Sequence, residues 1–171
     1  MAQLRTETPI GTISASASEH GIEWIRFAAS DAEPPVAALR SAQLDANAER
    51  HLTSLRVQLE EYFAGSRREF KLDLDLETTG DFGRRVLEEL AAVPYGETVN
   101  YEELAARAGS PRAARAVGNA MRRNSWPIVL PCHRVVRSDG QLGGYAGPHD
   151  RADRKRYLLE LEGALPTALA A

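Results

Sequence analysis

The chain has 171 residues, of which 43% are hydrophobic and 26% are charged, with a formal net charge of -3. This composition is that of an ordinary globular protein with one domain or two small ones, and it does not indicate disorder. There is no run of about 18 apolar residues, and residues 1–9 lack a charged-then-apolar leader pattern, so we expect a cytoplasmic protein.

The first part of the chain predicts a mixed α/β domain. Strands are expected over residues 10–16 and 22–28, separated by a turn at Glu19-His20-Gly21. Pro34-Pro35 breaks the chain before a helical stretch.

A helix and a strand complete this part. Apolar side chains recur at helical spacing up to Gly65, namely Leu52, Leu55, Leu59 and Tyr62. Residues 70–76 then alternate between apolar and charged side chains, which predicts a half-buried strand. Thr78-Thr79-Gly80 is typical of a linker, so we predict two domains, 1–80 and 81–171.

The second part begins with helices. An apolar stripe of Phe82, Val86, Leu87 and Leu90 predicts the first of them. A short helix over 102–108 stops at Gly109, and we expect Ser110 to cap a further helix with Pro111 at its first position. Two short helices around a glycine-containing turn indicate a helix-turn-helix.

Charge supports a recognition role for the second of these helices. Residues 81–171 hold 13 basic and 11 acidic side chains, against 8 and 13 in residues 1–80. Between Leu104 and Ser138 there is no acid but there are seven arginines: Arg107, Arg112, Arg115, Arg122, Arg123, Arg134 and Arg137. This acid-free stretch indicates a footprint for a phosphate backbone, although a solvated helix face would have the same composition.

Cys132 is the single cysteine of the chain. One cysteine excludes an intramolecular disulfide and a zinc site built on paired thiolates. It follows a short apolar run at 128–130, predicted to be a buried strand, and positive neighbours would lower its pKa. In a strand-like segment Cys132 and His133 would point opposite ways, so a water relay with a carboxylate orienting the imidazole would be needed. Taken alone, the pair favours a buried filler cysteine.

The residues on both sides of Cys132 change this interpretation. Pro131-Cys132-His133-Arg134-Val135 resembles the active-site signature of the O6-alkylguanine-DNA alkyltransferases. Further similar segments follow the family's order over about ninety residues: 94–98, 101–105, 113–118, Asn124 and 144–147, with a less specific match at 8–12. The resemblance implies an α/β fold, in which an N-terminal α/β domain with a small antiparallel, ribonuclease H-like sheet precedes a mainly helical domain with a winged helix-turn-helix.

The resemblance also implies the chemistry. Cys132 would irreversibly accept the alkyl group of O6-alkylguanine in double-stranded DNA, once per molecule and without cofactor or metal. The sequence leaves open whether O4-alkylthymine is also a substrate. His133 would bind a water bridging to Cys132, and Glu162 would polarise His133. Tyr101 would donate a proton to N3 of the leaving guanine, and Asn124 would be a hinge residue.

DNA contacts are implied in the same way. Arg115 would fill the stack left by a flipped nucleotide, because a base inside a duplex cannot reach a thiol. The neighbouring DNA contacts would be Arg112, Ala114, Asn119, Arg122 and Arg123. The backbone of Val135 and Ala146 would read the base, and Tyr145 and Gly147 would shape its pocket. We expect a monomer that can cluster on DNA and has no membrane partner.

Some positions depart from the family's pattern: Gly83, Trp126, Pro148 and about three extra residues within 149–153. The last two affect the loop over the pocket and therefore the substrate range. Three rival functions are weaker. A lesion-binding relative would lack Cys132, a transcription regulator fits the helix-turn-helix alone, and a Cys-His hydrolase has no matching signature.

Overall fold

The computed structural model describes residues 2–28, 46–76, 80–145 and 151–165. The chain divides into two compact units, Met1–Thr78 and Thr79–Ala171. Several sequence-based expectations lie outside the described residues: the helical stretch directly after Pro34-Pro35, the linker at Thr78-Thr79, and the positions Ala146, Gly147 and Pro148.

The first unit is a three-stranded antiparallel sheet covered by one helix. The strands β1 (Ala2–Thr6), β2 (Ile13–Ala17) and β3 (Ile22–Phe27) lie in the order β1-β2-β3. Helix α1 (Ala46–Phe63) contacts all three strands, and its four predicted apolar residues are all buried. The expected strands at 10–16 and 22–28 are present with shorter bounds, whereas β1 was not predicted.

The prediction of a strand over residues 70–76 is wrong, because this segment does not pair with a neighbouring strand over several residues. The chain there makes one isolated parallel bridge between Ile22 and Leu74. Ile22 N–H donates to the carbonyl of Asp73 at 2.8 Å, and Asp75 N–H donates to the carbonyl of Ile22 at 3.0 Å. A Cβ at Gly21 would lie 2.5 Å from the Asp73 carbonyl oxygen, so this approach requires glycine.

The second unit is mainly helical. Its elements are α2 (Asp81–Ala91), β4 (Val99–Asn100), α3 (Tyr101–Arg107), α4 (Ala114–Arg122), a 3₁₀ helix (Cys132–Arg134), β5 (Val135–Val136) and α5 (Ala152–Glu162). Strand β4 pairs with β5 in parallel, with Val99 opposite Val135. This pairing places the start of α3 beside the segment that follows Cys132. A small antiparallel sheet in one unit and a helical second unit confirm the predicted fold class.

Helices α3 and α4 form the predicted pair. Asn100 caps α3, since its side chain accepts from Glu103 N–H at 2.8 Å while the Glu103 carboxylate accepts from Asn100 N–H at 3.1 Å. The expected start of α4 is wrong, because Ala113 N–H bonds the Ser110 carbonyl at 2.9 Å and leaves Pro111 in a turn. The helix begins at Ala114, without a side-chain cap.

The approach to Cys132 also differs from the prediction. Residues 128–130 form a turn instead of a strand, because Leu130 N–H bonds back to the Trp126 carbonyl at 2.8 Å and Ile128 adopts a φ of 75°. The Cys132–Arg134 segment is a 3₁₀ helix instead of strand-like backbone. Within the described residues, no helix has the length and apolarity needed to cross a membrane.

Candidate active site around Cys132

Cys132 begins the 3₁₀ helix and is only 5% exposed. Burial raises the pKa of its thiol, and this outweighs the hydrogen bond with Asn124 and the charge of Lys155, which both lower it. The expectation of a lowered thiol pKa is therefore wrong for the resting protein. Cys132 rests as a thiol, and it needs a base before it can act as a nucleophile.

Asn124 connects the end of α4 to the segment before Cys132. Its side-chain amide donates to the Leu130 carbonyl at 2.9 Å, and its side-chain oxygen accepts from Trp126 N–H at 3.0 Å. These bonds hold the turn at 126–130 in place, and the same side chain contacts the thiol. This placement is compatible with the hinge role expected of Asn124, which stays a prediction.

His133 and Glu162 form a buried pair. His133 Nε2 lies 2.9 Å from Glu162 Oε1, and both side chains are fully inaccessible to solvent. Glu162 ends α5, where Gly163 takes the left-handed conformation at φ 69° that closes many helices. Among the described residues, His133 Nδ1 has no hydrogen-bond partner. Burial lowers the pKa of His133, so the ring is neutral near pH 7 and Nδ1 can accept a proton.

Arg134 belongs to the same network, and the sequence analysis missed it. Its Nε donates to Glu162 Oε2 at 2.8 Å and its Nη2 to Glu162 Oε1 at 2.9 Å. Its Nη1 donates to the carbonyl of Val93 at 2.6 Å. Arg134 is 6% exposed, so it is not part of the basic surface to which the acid-free stretch assigned it.

Lys155 is the second charged residue that the sequence analysis missed. It is completely buried on α5, and its Nζ donates to the Val135 carbonyl at 2.6 Å and to the Gly144 carbonyl at 3.5 Å. It lies on one helical face with Leu158, Leu159 and Glu162, all buried. That i, i+3, i+4, i+7 spacing was the available signal. The backbone of Val135, predicted to read a base, thus already uses its carbonyl to accept a hydrogen bond from Lys155.

Tyr101 and Tyr145 are the two predicted site tyrosines. Tyr101 starts α3 and lies between α4 and the loop after β5, because a Cβ at Gly118 would be 3.9 Å from its ring and one at Gly143 3.0 Å from its hydroxyl. Gly143, with φ 69°, leaves room for that hydroxyl. Tyr145 is buried, and its ring meets that of His133 edge-on at 6.3 Å.

Helix α4 presents a basic face to solvent. Its exposed side chains alternate with Val117 and Met121, which are buried, so the two predicted faces are present. The exposed predicted DNA contacts are Arg112, Arg115, Asn119, Arg122 and Arg123, whereas Ala114 is half-buried. In the described ranges no three His, Cys, Asp or Glu side chains are grouped as metal ligands would be.

Lys155 gives a first testable prediction. Replacing it with methionine removes a buried positive charge beside Cys132, so the pKa of the thiol should rise further and less thiolate should be present at pH 7. Each unit of pKa costs about tenfold in thiolate. We expect modification of Cys132 by iodoacetamide to slow by roughly tenfold. Arg156→Met is the control, because Arg156 is 42% exposed on the same helix. An unchanged rate in Lys155→Met would contradict the electrostatic effect.

Comparison with known proteins places this geometry in a family. Residues 81–164 match the model described as 6-O-methylguanine DNA methyltransferase, DNA binding domain, and residues 5–76 match the ribonuclease-like domain of the same family. The methylated-DNA–protein-cysteine methyltransferase of Methanosarcina acetivorans is 39% identical over 160 residues, covering 92% of this chain and 96% of that protein. The protein of the same name from Bacillus subtilis, described as constitutive, is 45% identical over 112 residues, 66% of each chain.

A solved structure extends the match to the fold. The crystal structure of Mycobacterium tuberculosis OGT in complex with DNA has a TM-score of 0.77 and 38% identity, covering 97% of this chain and 95% of that one. The similarity therefore spans both units and includes the Cys132 motif. The chain belongs to the 6-O-methylguanine DNA methyltransferase family.

Proposed function

We propose that this chain repairs alkylated DNA by irreversible transfer of the alkyl group from O6-alkylguanine to Cys132, once per molecule. The observation that carries the proposal is a single buried thiol next to the neutral His133, whose ring is paired with the ionised Glu162. The related proteins from M. acetivorans and B. subtilis carry the name of this activity. The alternative function, in which the protein binds and marks lesions without repairing them, is not favoured, because the acceptor thiol of Cys132 is present.

The reaction is a displacement at carbon. The thiol proton moves to His133 Nδ1, directly or through a water, and the sulfur attacks the alkyl carbon. As the S–C bond forms, the C–O6 bond breaks and its electron pair moves into the purine, where Tyr101 supplies a proton to N3. Solvent then returns the imidazolium proton to the Tyr101 phenolate. No electrons pass to an external acceptor, so the reaction needs no redox partner.

Access to the base requires nucleotide flipping, because O6 of a stacked guanine is out of reach of a buried thiol. Arg115, exposed on α4, fills the vacated stack, and its neighbours on that face contact phosphates. The family resemblance implies that this helix enters the minor groove, where sequence readout is degenerate, which suits a lesion search. We expect the backbone of Val135 and Ala146 to read the extruded base, and Tyr145 and Gly147 to shape its pocket.

The protein acts in the cytoplasm as a monomer that can cluster on double-stranded DNA. The chain has two domains, 1–80 and 81–171, and the second contains both the DNA-binding helix and the acceptor Cys132.

The test is a titration of protein against an excess of duplex containing O6-methylguanine. A thioether on Cys132 has no route back, since the chain has no second thiol. Repaired guanine should therefore equal the protein consumed, and the methyl group should be found on the cysteine peptide by mass spectrometry. The spent protein should melt at a lower temperature, because overpacking a buried site costs about 1–3 kcal/mol. Product in excess of protein would overturn the suicide reaction.

Arg115→Ala gives a second prediction, which separates flipping from chemistry. The variant should slow repair in duplex DNA by about tenfold or more, because a few kcal/mol of unstacking is no longer offset. Its reaction with free O6-benzylguanine should be unchanged, since a free base leaves no gap in a stack. Arg84→Ala, at another exposed arginine, is the control for general charge loss. Equal losses on both substrates would exclude an intercalating role for Arg115.

A further inference from the structure

Arg134 has no role in the reaction described above, yet it lies at the centre of the buried polar network. Its guanidinium donates two parallel hydrogen bonds to Glu162, at 2.8 Å and 2.9 Å, and a third to the Val93 carbonyl at 2.6 Å. Val93 lies two residues after the end of α2, and the bond to its carbonyl fixes the position of the guanidinium. Two parallel bonds of this kind define the plane and the orientation of the carboxylate that receives them.

Glu162 consequently faces several donors at once. His133 Nε2 lies 2.9 Å from Oε1, and the backbone N–H of Gly96 donates to Oε2 at 3.5 Å. An arginine stays protonated in proteins, and an ionised carboxylate can only accept hydrogen bonds. The His133 nitrogen that faces Glu162 must therefore carry a hydrogen, so Nε2 is the protonated nitrogen of the neutral ring and Nδ1 keeps its lone pair.

We propose that Arg134 is a positioning residue for the transfer reaction, holding Glu162 as an oriented carboxylate so that His133 presents an unprotonated Nδ1 to the Cys132 proton. This inference rests on the proposed function. Among the described residues no side chain or backbone group donates to the buried Nδ1, so its lone pair is available for the thiol proton. The proton then moves from sulfur to Nδ1 within the site, and Glu162 stabilises the imidazolium from the opposite side of the ring.

The charge of Arg134 also sets the pH range over which His133 stays neutral. The groups facing the ring are Arg134 on the 3₁₀ helix, Glu162 and Lys155 on α5, and the Tyr145 phenol. Burial lowers the pKa of His133, the Glu162 carboxylate raises it, and the two cations lower it. Without the charge of Arg134, the Glu162 carboxylate would raise the pKa of His133 further, and the ring would bind a second proton more readily. A doubly protonated His133 cannot accept the thiol proton.

The experiment measures the single-turnover rate of methyl transfer from duplex DNA as a function of pH. In Arg134→Gln the acidic limb should move to higher pH, because the pKa of His133 rises. The ratio of wild-type to variant rates should grow as pH falls and approach about tenfold for each unit by which the pKa of His133 rises. Arg134→Lys keeps the positive charge but cannot make the two parallel hydrogen bonds to Glu162. Its pH profile should lie between those of the wild type and Arg134→Gln. Arg156→Gln, at an exposed Arg–Glu pair of α5, should match the wild type.

Two further measurements separate positioning from general stability. The ¹⁵N shifts of the His133 ring should show a protonated Nε2 in the wild type and a population with both nitrogens protonated in Arg134→Gln at the same pH. In a Glu162→Gln background the Arg134→Gln change should cost no further rate, because Arg134 acts through Glu162. If Arg134→Gln does not fold, Arg134→Lys is tested in the same assays.

The outcomes are distinct. A pH profile of Arg134→Lys or Arg134→Gln that superimposes on the wild type would overturn the inference, and so would a wild-type ring protonated on Nδ1. Additive losses in the Glu162→Gln background would also overturn it, since Arg134 would then act independently of Glu162. Absence of methyl transfer in the wild-type protein would instead refute the proposed function itself.

Discussion

Replacing Cys132 by serine should abolish methyl transfer while leaving the affinity for DNA unchanged. A serine hydroxyl is a far weaker nucleophile than a thiolate, and the neutral His133 cannot deprotonate it appreciably. Loss of a nucleophile typically costs more than about 10⁴-fold in rate, which would leave no detectable product here. The measurement is transfer of a labelled methyl group from duplex DNA, with binding followed separately by gel shift.

Serine suits this test because it keeps the shape of the site. Cys132 is 5% exposed, so a larger replacement would disturb packing and confuse loss of chemistry with loss of structure. The hydroxyl can also retain a hydrogen bond with Asn124. An unchanged thermal unfolding temperature would establish that the fold is intact. Transfer at the wild-type rate would show that another side chain is the acceptor.

Patterns of hydrophobicity predicted the elements that bury one face against the rest of their own unit. The helix with Leu52, Leu55, Leu59 and Tyr62 is present because its 3.6-residue period matches a buried stripe. The same logic fails over residues 70–76. Alternation there reports partial burial, but a strand also needs a partner over several residues, and only Leu74 finds one.

The segment before Cys132 shows why short apolar runs mislead. Residues 128–130 are apolar because they are largely buried, and burial alone does not distinguish a strand from a packed turn. The hydrogen bonds that the Asn124 side chain makes with Leu130 and Trp126 stabilise the turn. The positive φ of Ile128 is rare for a β-branched residue, so no local propensity could have predicted it.

The site was only partly accessible from sequence. The pairing of His133 with a residue 29 positions later came from the resemblance to a family, since spacing alone cannot bring them together. Arg134 and Lys155 were missed because charged side chains are almost never fully buried unless paired. Their partners are Glu162 and backbone carbonyls, which become neighbours only once α5 packs on the 3₁₀ helix.

Glu162→Gln should reduce both the stability of the protein and its rate of transfer. Burial would raise the pKa of Glu162, but hydrogen bonds from His133 and Arg134 outweigh it and lower the value from 4.5 to about 2. The amide leaves the buried Arg134 without its anion. Removing one partner of a buried ion pair costs about 3–5 kcal/mol. The unfolding temperature should fall on the order of 10 °C.

The sign of the pH dependence follows from the same pKa. Because the folded-state pKa of Glu162 lies below its unfolded value of about 4.5, its contribution to wild-type stability is complete above pH 4.5 and is lost as pH falls toward about 2. Urea unfolding of the wild type across this range should show the loss. Glu160→Gln, at a half-exposed carboxylate of the same helix, should change stability by less than about 1 kcal/mol.

The effect on rate distinguishes chemistry from DNA binding. A glutamine can still accept a hydrogen bond from His133, but it carries no charge to stabilise the imidazolium that forms when the thiol loses its proton. Transfer should therefore slow by about 10²-fold or more, within the range for loss of general-base assistance. The loss should be equal for duplex DNA and for free O6-benzylguanine, in contrast to Arg115→Ala. A loss confined to duplex DNA would mean that Glu162 supports binding, and that His133 does not depend on it as a base.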